Sequence, residues 1–142
     1  MIGLPVAEKR FGVRLRVVTF LYVEDNDSLR ESIRELIEHE HRRVEAFASA
    51  EEALAAAAAG RAFDVLVTDV SLPGMSGTEL ARHWLADDPT RWVVLCSGYE
   101  FRHGLDAFGP NVRSLPKSFE FEQLEALFDE IETAVRRAHA SP

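Results

Sequence analysis

The run Val65-Leu66-Val67-Thr68 ends in Asp69, and Ser71-Leu72-Pro73-Gly74 follows almost at once. Residues that suit a buried strand thus run into one carboxylate and a Pro-Gly turn. A carboxylate at the end of a buried strand is costly unless it has a partner or a task. The C-terminal ends of strands are also where open α/β sheets bind ligands. Taken alone, Asp69 reads equally well as an aspartate that closes a turn or caps a helix. The rest of the chain decides between these readings.

The strand-then-helix pattern occurs five times. Val17 to Val23 is an apolar, β-branched run that ends in Glu24-Asp25-Asn26-Asp27. Asn26 or Asp27 caps the helix that follows, whose apolar face is Leu29, Ile33, Leu36 and Ile37. Arg43 to Ala48 alternates as a second strand, and Ser49 with Glu52 opens an alanine-rich helix that Gly60 stops. After the third strand, a helix from about Thr78 to Ala86 carries Leu80, Trp84 and Leu85. Trp92 to Cys96 is the fourth strand and leads into Ser97-Gly98. Tyr99 to Gly109 is poorly helical and interrupted by Gly104. Val112 to Leu115 is a short fifth strand, followed by Pro116-Lys117. The last helix runs from about Glu120 to Ala138, with Leu124, Leu127, Phe128, Ile131 and Val135 as its stripe. Its opposite face is acidic: Glu122, Glu125, Asp129 and Glu132.

This order predicts an α/β fold, a doubly wound parallel sheet with helices on both faces. Strands one, three and four have the unbroken apolar character of central strands, whereas two and five read as edges. Residues 1–16, with Gly3, Pro5, Gly12 and four basic residues, read as a flexible N-terminal extension to a domain spanning 17–140.

Bulk properties narrow the function. A net charge of −8, from 16 basic and 24 acidic residues, argues against nucleic acid as a partner, because phosphate neutralisation needs a basic face. No apolar stretch approaches membrane-spanning length, so membrane insertion is not expected. The single cysteine, Cys96, excludes an internal disulfide and suits a reducing, cytoplasmic setting.

In a parallel sheet all strand C-termini lie on one edge, so Glu24, Asp25, Asp69, Ser97 and Lys117 can converge there. Carboxylates packed together repel one another, and a hard divalent cation such as Mg²⁺ relieves that. A cation beside a lysine and a hydroxyl makes a phosphoryl-binding pocket, in which a central aspartate can itself be the nucleophile.

These residues resemble the receiver domains of two-component response regulators, of which the chemotaxis response regulator is the simplest type. The resemblance covers about residues 17 to 138. It rests on Val23-Glu24-Asp25-Asn26, on Asp69 with Leu72-Pro73-Gly74-Met75-Ser76-Gly77, on Ser97-Gly98-Tyr99 and on Lys117. It implies a flavodoxin-like sheet of five strands in the order 2-1-3-4-5. It implies that Asp69 accepts a phosphoryl group from a histidine kinase or histidine phosphotransfer protein. Glu24, Asp25, Asp69 and the Ser71 backbone carbonyl would hold Mg²⁺, while Ser97 and Lys117 would contact the phosphoryl oxygens. Such a domain catalyses its own phosphorylation and dephosphorylation rather than acting as a conventional enzyme. It signals to a downstream protein target by binding or by phosphorelay.

Three departures lie on the face that this family uses to signal. Ser114 stands where an aromatic residue is common, three before the lysine. Ser118 stands where a proline on a cis bond is usual, and Pro116 precedes the lysine instead. The 99–109 stretch is short and broken by glycine. A trans Lys117–Ser118 bond, a displaced loop after strand five and a remodelled output face over 99–119 are therefore expected.

The leading expectation is a stand-alone phosphoacceptor, since Ala138 is four residues from the end. The alternatives are a receiver excised from a larger hybrid kinase or regulator and a docking module that works without phosphorylation. A Mg²⁺-dependent phosphohydrolase ranks last, because Asp69-Val70-Ser71 lacks a second carboxylate two residues on.

Overall fold

The computed structural model describes residues 15–99, 101, 104–105 and 107–140. Five strands form one sheet: β1 (Val18–Val23), β2 (Arg42–Phe47), β3 (Val65–Asp69), β4 (Trp92–Ser97) and β5 (Val112–Pro116). Their order is β2-β1-β3-β4-β5, as the resemblance implies, and every pairing is parallel, as the strand-helix alternation predicts. Four helices accompany them: α1 (Asp27–Ile37), α2 (Ala50–Ala58), α3 (Gly77–Ala86) and α4 (Phe121–Ala140).

The sheet's faces divide by strand alternation. Val18, Phe20 and Tyr22 of β1, Val65 and Val67 of β3, and Val94 and Cys96 of β4 join Ile37 of α1 and Leu124, Phe128, Ile131 and Val135 of α4. Leu21, Val23, Leu66, Val93 and Leu95 face the other way, onto Ala50 and Ala53 of α2 and Leu80, Trp84 and Leu85 of α3. The central strands are buried on both faces and hence continuously apolar.

Caps set the helix starts beneath the strand ends. The Asn26 side chain accepts from the Leu29 amide at 2.9 Å, and the Ser49 hydroxyl from the Glu52 amide at 3.1 Å. Ser76 and Glu79 form a full capping box, so α3 begins at Gly77, one residue before the sequence-based expectation.

Four features differ from that reading. No helix occurs among the described residues between β4 and β5; Phe101, Leu105 and Phe108 pack there onto the α3 face of the core. On α1, Leu29 and Leu36 stay exposed, Leu36 at 58%, because the sheet edge ends at β2 and covers only Ile33 and Ile37. The acidic side of α4 is not a free solvated face. Glu125, Asp129 and Glu132 close around the fully buried Arg42 of β2, which also donates to the Ile37 carbonyl and lies over the Phe20 and Phe128 rings. Finally, Arg16, placed by sequence in the extension, pairs with Asp64 at 2.7 Å, and its carbonyl accepts from Arg136. Residues 1–14 of the expected extension lie outside the described residues.

Candidate functional site

Four parallel strands, two of them through the turns that follow, deliver the predicted residues to one edge. Glu24 and Asp25 follow β1, Asp69 ends β3, Ser97 ends β4 and Lys117 follows β5. Carboxylate oxygens of Glu24, Asp25 and Asp69 lie within 4.8 Å of one another. Glu24 and Asp69 are 4% and 5% exposed, whereas Asp25 is open to solvent.

Lys117 is the cation that answers this charge. Its Nζ is 2.9 Å from Asp69 Oδ1 and 3.8 Å from Glu24 Oε1. Burial by itself would lower the lysine pKa, but the hydrogen bond and charge of Asp69, with Glu24 behind it, raise it above the ordinary value. The Glu24 pKa is raised as well, which for a carboxylate disfavours the charged form. Burial raises its pKa, opposed by the Asn26 amide and by Lys117 and assisted by the neighbouring Asp69 charge. The Asn26 amide donates to Glu24 Oε2 at 3.0 Å, and Arg30 donates to the Glu24 carbonyl at 2.9 Å. The acidic turn is therefore held through its backbone as well as its side chain.

The donor set fits a hard cation. Three carboxylates in one cluster, two of them buried and only partly answered by one ammonium, are the oxygen-rich, charge-crowded surroundings that Mg²⁺ relieves.

Ser97 is brought to the pocket, 3% exposed, but its hydroxyl is otherwise engaged. It donates to the Tyr99 carbonyl at 2.8 Å and accepts from the Tyr99 amide at 3.0 Å. A hydroxyl has one proton to give, so in this arrangement none is left for a ligand. The Lys117 amide donates to the Ser97 carbonyl, which ties β5's exit to β4's end. Ser71 lies two residues beyond the end of β3, exposed, in the loop whose ends are joined by the Gly77 amide and the Val70 carbonyl at 2.9 Å.

Three features of the site go beyond its reactive groups. A Cβ at Gly77 would sit 2.0 Å from the Asp69 carbonyl oxygen, so only glycine lets the α3 start approach the carboxylate's own backbone. Thr68, fully buried, donates its hydroxyl to that same Asp69 carbonyl at 2.9 Å. Ser114 lines a cavity of about 460 Å³ with Ser97, Tyr99, Phe101 and Leu105. The backbone holds no cis peptide among the described residues, and Ser118 takes a left-handed conformation, φ 70°. That turn carries Lys117 back over the sheet edge without the family's usual proline.

This sheet order with an acidic pocket at the strand ends defines a flavodoxin-like, doubly wound domain. The response regulator receiver domain model matches residues 20–129, and the chain belongs to that family. The chain is 36% identical over 77 residues to the C4-dicarboxylate transport transcriptional regulatory protein DctD of Rhizobium meliloti (strain 1021), a match covering 54% of this chain and 16% of that protein. Among solved structures, a response regulator receiver protein from Sinorhizobium medicae is similar with a TM-score of 0.73 and 26% identity, covering 84% of this chain and 97% of that one. Response regulator TrrA from Thermotoga maritima, in complex with Mg²⁺ and BeF, gives 0.70 and 25%, covering 81% and 99%. Chemotaxis protein CheY4 of Vibrio cholerae shares the fold, with a TM-score of 0.71 at 24% identity over 81% of this chain and 98% of its own. No helix among the described residues is long and apolar enough to cross a membrane.

Proposed function

We propose that this receiver accepts a phosphoryl group on Asp69 from the phosphohistidine of a histidine kinase or phosphotransfer protein. It then signals by protein–protein contact or passes the group on. The observation that carries this reading is the cluster itself: Asp69 is buried at the end of a central strand, held by Lys117 and set beside Glu24 and Asp25. Glu24, Asp25, Asp69 and the Ser71 carbonyl would hold Mg²⁺, which when bound neutralises the acidic cluster and the charge of an incoming phosphoryl group.

The chain's own residues do the rest. An Asp69 carboxylate oxygen attacks phosphorus; the new O–P bond forms as the donor's N–P bond breaks, and the freed imidazole nitrogen takes its proton from solvent. Lys117 keeps the carboxylate in place before transfer and can follow the phosphoryl oxygens afterwards. Ser97 donates to those oxygens only once its O–H leaves the Tyr99 carbonyl, so occupancy of the site is felt directly in the 99–101 segment. Without an aromatic at Ser114, that segment and β5 form the output face. A cytoplasmic location accords with this role.

A second reading is that the domain is the receiver part of a longer regulator, favoured by its match to 16% of a transcriptional regulatory protein. The size of the natural gene product separates the two.

The test is incubation with acetyl phosphate and Mg²⁺, followed by intact mass. Wild type should gain one phosphoryl mass and Asp69→Asn none. No gain in wild type would favour a docking module that works without phosphorylation, and rapid release of inorganic phosphate without accumulation would favour a hydrolase.

A further inference from the structure

The loop after Asp69 is held from outside by a residue of another helix. Glu51, in the first turn of α2, accepts a hydrogen bond from the Met75 amide at 2.9 Å. Its carboxylate also occupies the space beside Gly74: a Cβ there would lie 2.5 Å from Glu51 Oε2. Gly74 has φ 74°, the left-handed conformation that turns the Met75 amide towards this acceptor. Among the described residues, Glu51 is the one side chain from outside the loop and its helix that hydrogen-bonds to residues 71–76. The loop's other hydrogen bonds are internal to it and its flanks, the Gly77 amide on the Val70 carbonyl and the Ser76–Glu79 capping box, while Leu72 and Met75 pack against the α2 and α3 side of the core.

The carboxylate is well suited to the task. The Met75 amide, with Glu51's own, holds its pKa below the ordinary range, and it lies near the positive end of α2. Glu51 is not a member of the acidic cluster formed by Glu24, Asp25 and Asp69, so it acts at a distance from it.

We propose that Glu51 is a positioning residue that sets the Mg²⁺ affinity of the acidic pocket by fixing the loop that carries the Ser71 carbonyl. This rests on the reading of Glu24, Asp25, Asp69 and Ser71 as the metal site. Residues that orient metal ligands by hydrogen bonds typically change affinity by about 10–100-fold when removed. Glu51 is exposed and tethers the loop four residues from Ser71, so the low end applies. Gln keeps an acceptor oxygen of the same reach and should preserve the tether, whereas Ala removes it.

Calorimetric titration with Mg²⁺ alone, with urea denaturation run in parallel, tests this. Glu51→Ala should weaken Mg²⁺ binding about tenfold, and Glu51→Gln should stay close to wild type. In phosphorylation by acetyl phosphate, Glu51→Ala should raise the half-saturating Mg²⁺ concentration and leave the rate at saturating Mg²⁺ unchanged. Equal Mg²⁺ affinity in wild type and Glu51→Ala overturns the positioning role alone. Absence of Mg²⁺ binding by wild type overturns the metal-site reading and this role with it.

Discussion

Lys117 Nζ lies 2.9 Å from Asp69 Oδ1 and 3.8 Å from Glu24 Oε1, so one ammonium answers two buried carboxylates. Removing it leaves both without their cation. Lys117→Ala should therefore lower stability by about 1–2 kcal/mol in the absence of Mg²⁺, a figure reduced for the lysine's partial exposure. Saturating Mg²⁺ should recover most of that loss, because the ion supplies the missing positive charge. Urea denaturation with and without Mg²⁺ measures both. A deficit unchanged by Mg²⁺ would separate Lys117 from the metal site.

Gly77 sits where a side chain cannot. A Cβ at this position would come within 2.0 Å of the Asp69 carbonyl oxygen, so Gly77→Ala must push the α3 start away from β3. Overpacking of this kind costs about 1–3 kcal/mol. The displacement falls on the backbone of Asp69, the proposed acceptor, so phosphoryl uptake should slow by about a hundredfold in molecules that remain folded. Uptake at the wild-type rate would show that the site tolerates the shift.

Arg42 is fully buried, and its guanidinium meets Glu125, Asp129 and Glu132. Arg42→Ala should cost about 3 kcal/mol, the low end for breaking a buried pair, because Arg136 remains 3.2 Å from Glu132. Asp129, whose side chain is 70% exposed, is the contrast: Asp129→Ala should cost less than about 1 kcal/mol. Denaturation midpoints decide, and equal losses would contradict the division between buried and exposed partners.

Cys96 pairs in register with Asp69 and is buried. Burial, assisted by the Asp69 charge, pushes its thiol from 9.0 up to about 12. The fold thus favours the protonated thiol. This contribution to stability is fully present below the unfolded value and is lost as pH rises from about 9 towards 12. Native protein at about pH 8, below both values, should resist iodoacetamide, and urea-unfolded protein should be alkylated readily. Equal rates would place the thiol at the surface.

Much of this was legible in the chain because strand ends are written in residue types. Apolar runs that stop at Glu24-Asp25, Asp69 and Ser97 marked both the sheet and the edge on which chemistry gathers. Arg42 was not legible. Next to Arg43 at the start of an edge strand it reads as one of two solvated cations. Glu125, Asp129 and Glu132 read only as an acidic helix face, and nothing in their spacing names a shared partner. Gly77 stood inside the quoted motif, yet its necessity depends on a backbone approach that exists only after α3 docks. Ser97 ends β4 as expected, but the engagement of its hydroxyl with Tyr99 is decided by a local turn that residue types leave open. Glu51 looked like an ordinary first-turn acid, and its partner, the Met75 amide, lies 24 residues away.

The role of Asp69 as phosphoryl acceptor is tested most directly by chemical trapping. Borohydride reduces an aspartyl phosphate to homoserine, which peptide mass spectrometry locates in protein treated with acetyl phosphate and Mg²⁺ and then quenched. Wild type should carry homoserine at position 69, dependent on Mg²⁺ and absent from untreated protein. Homoserine at Asp25 or another carboxylate, with position 69 unchanged, would contradict the assignment.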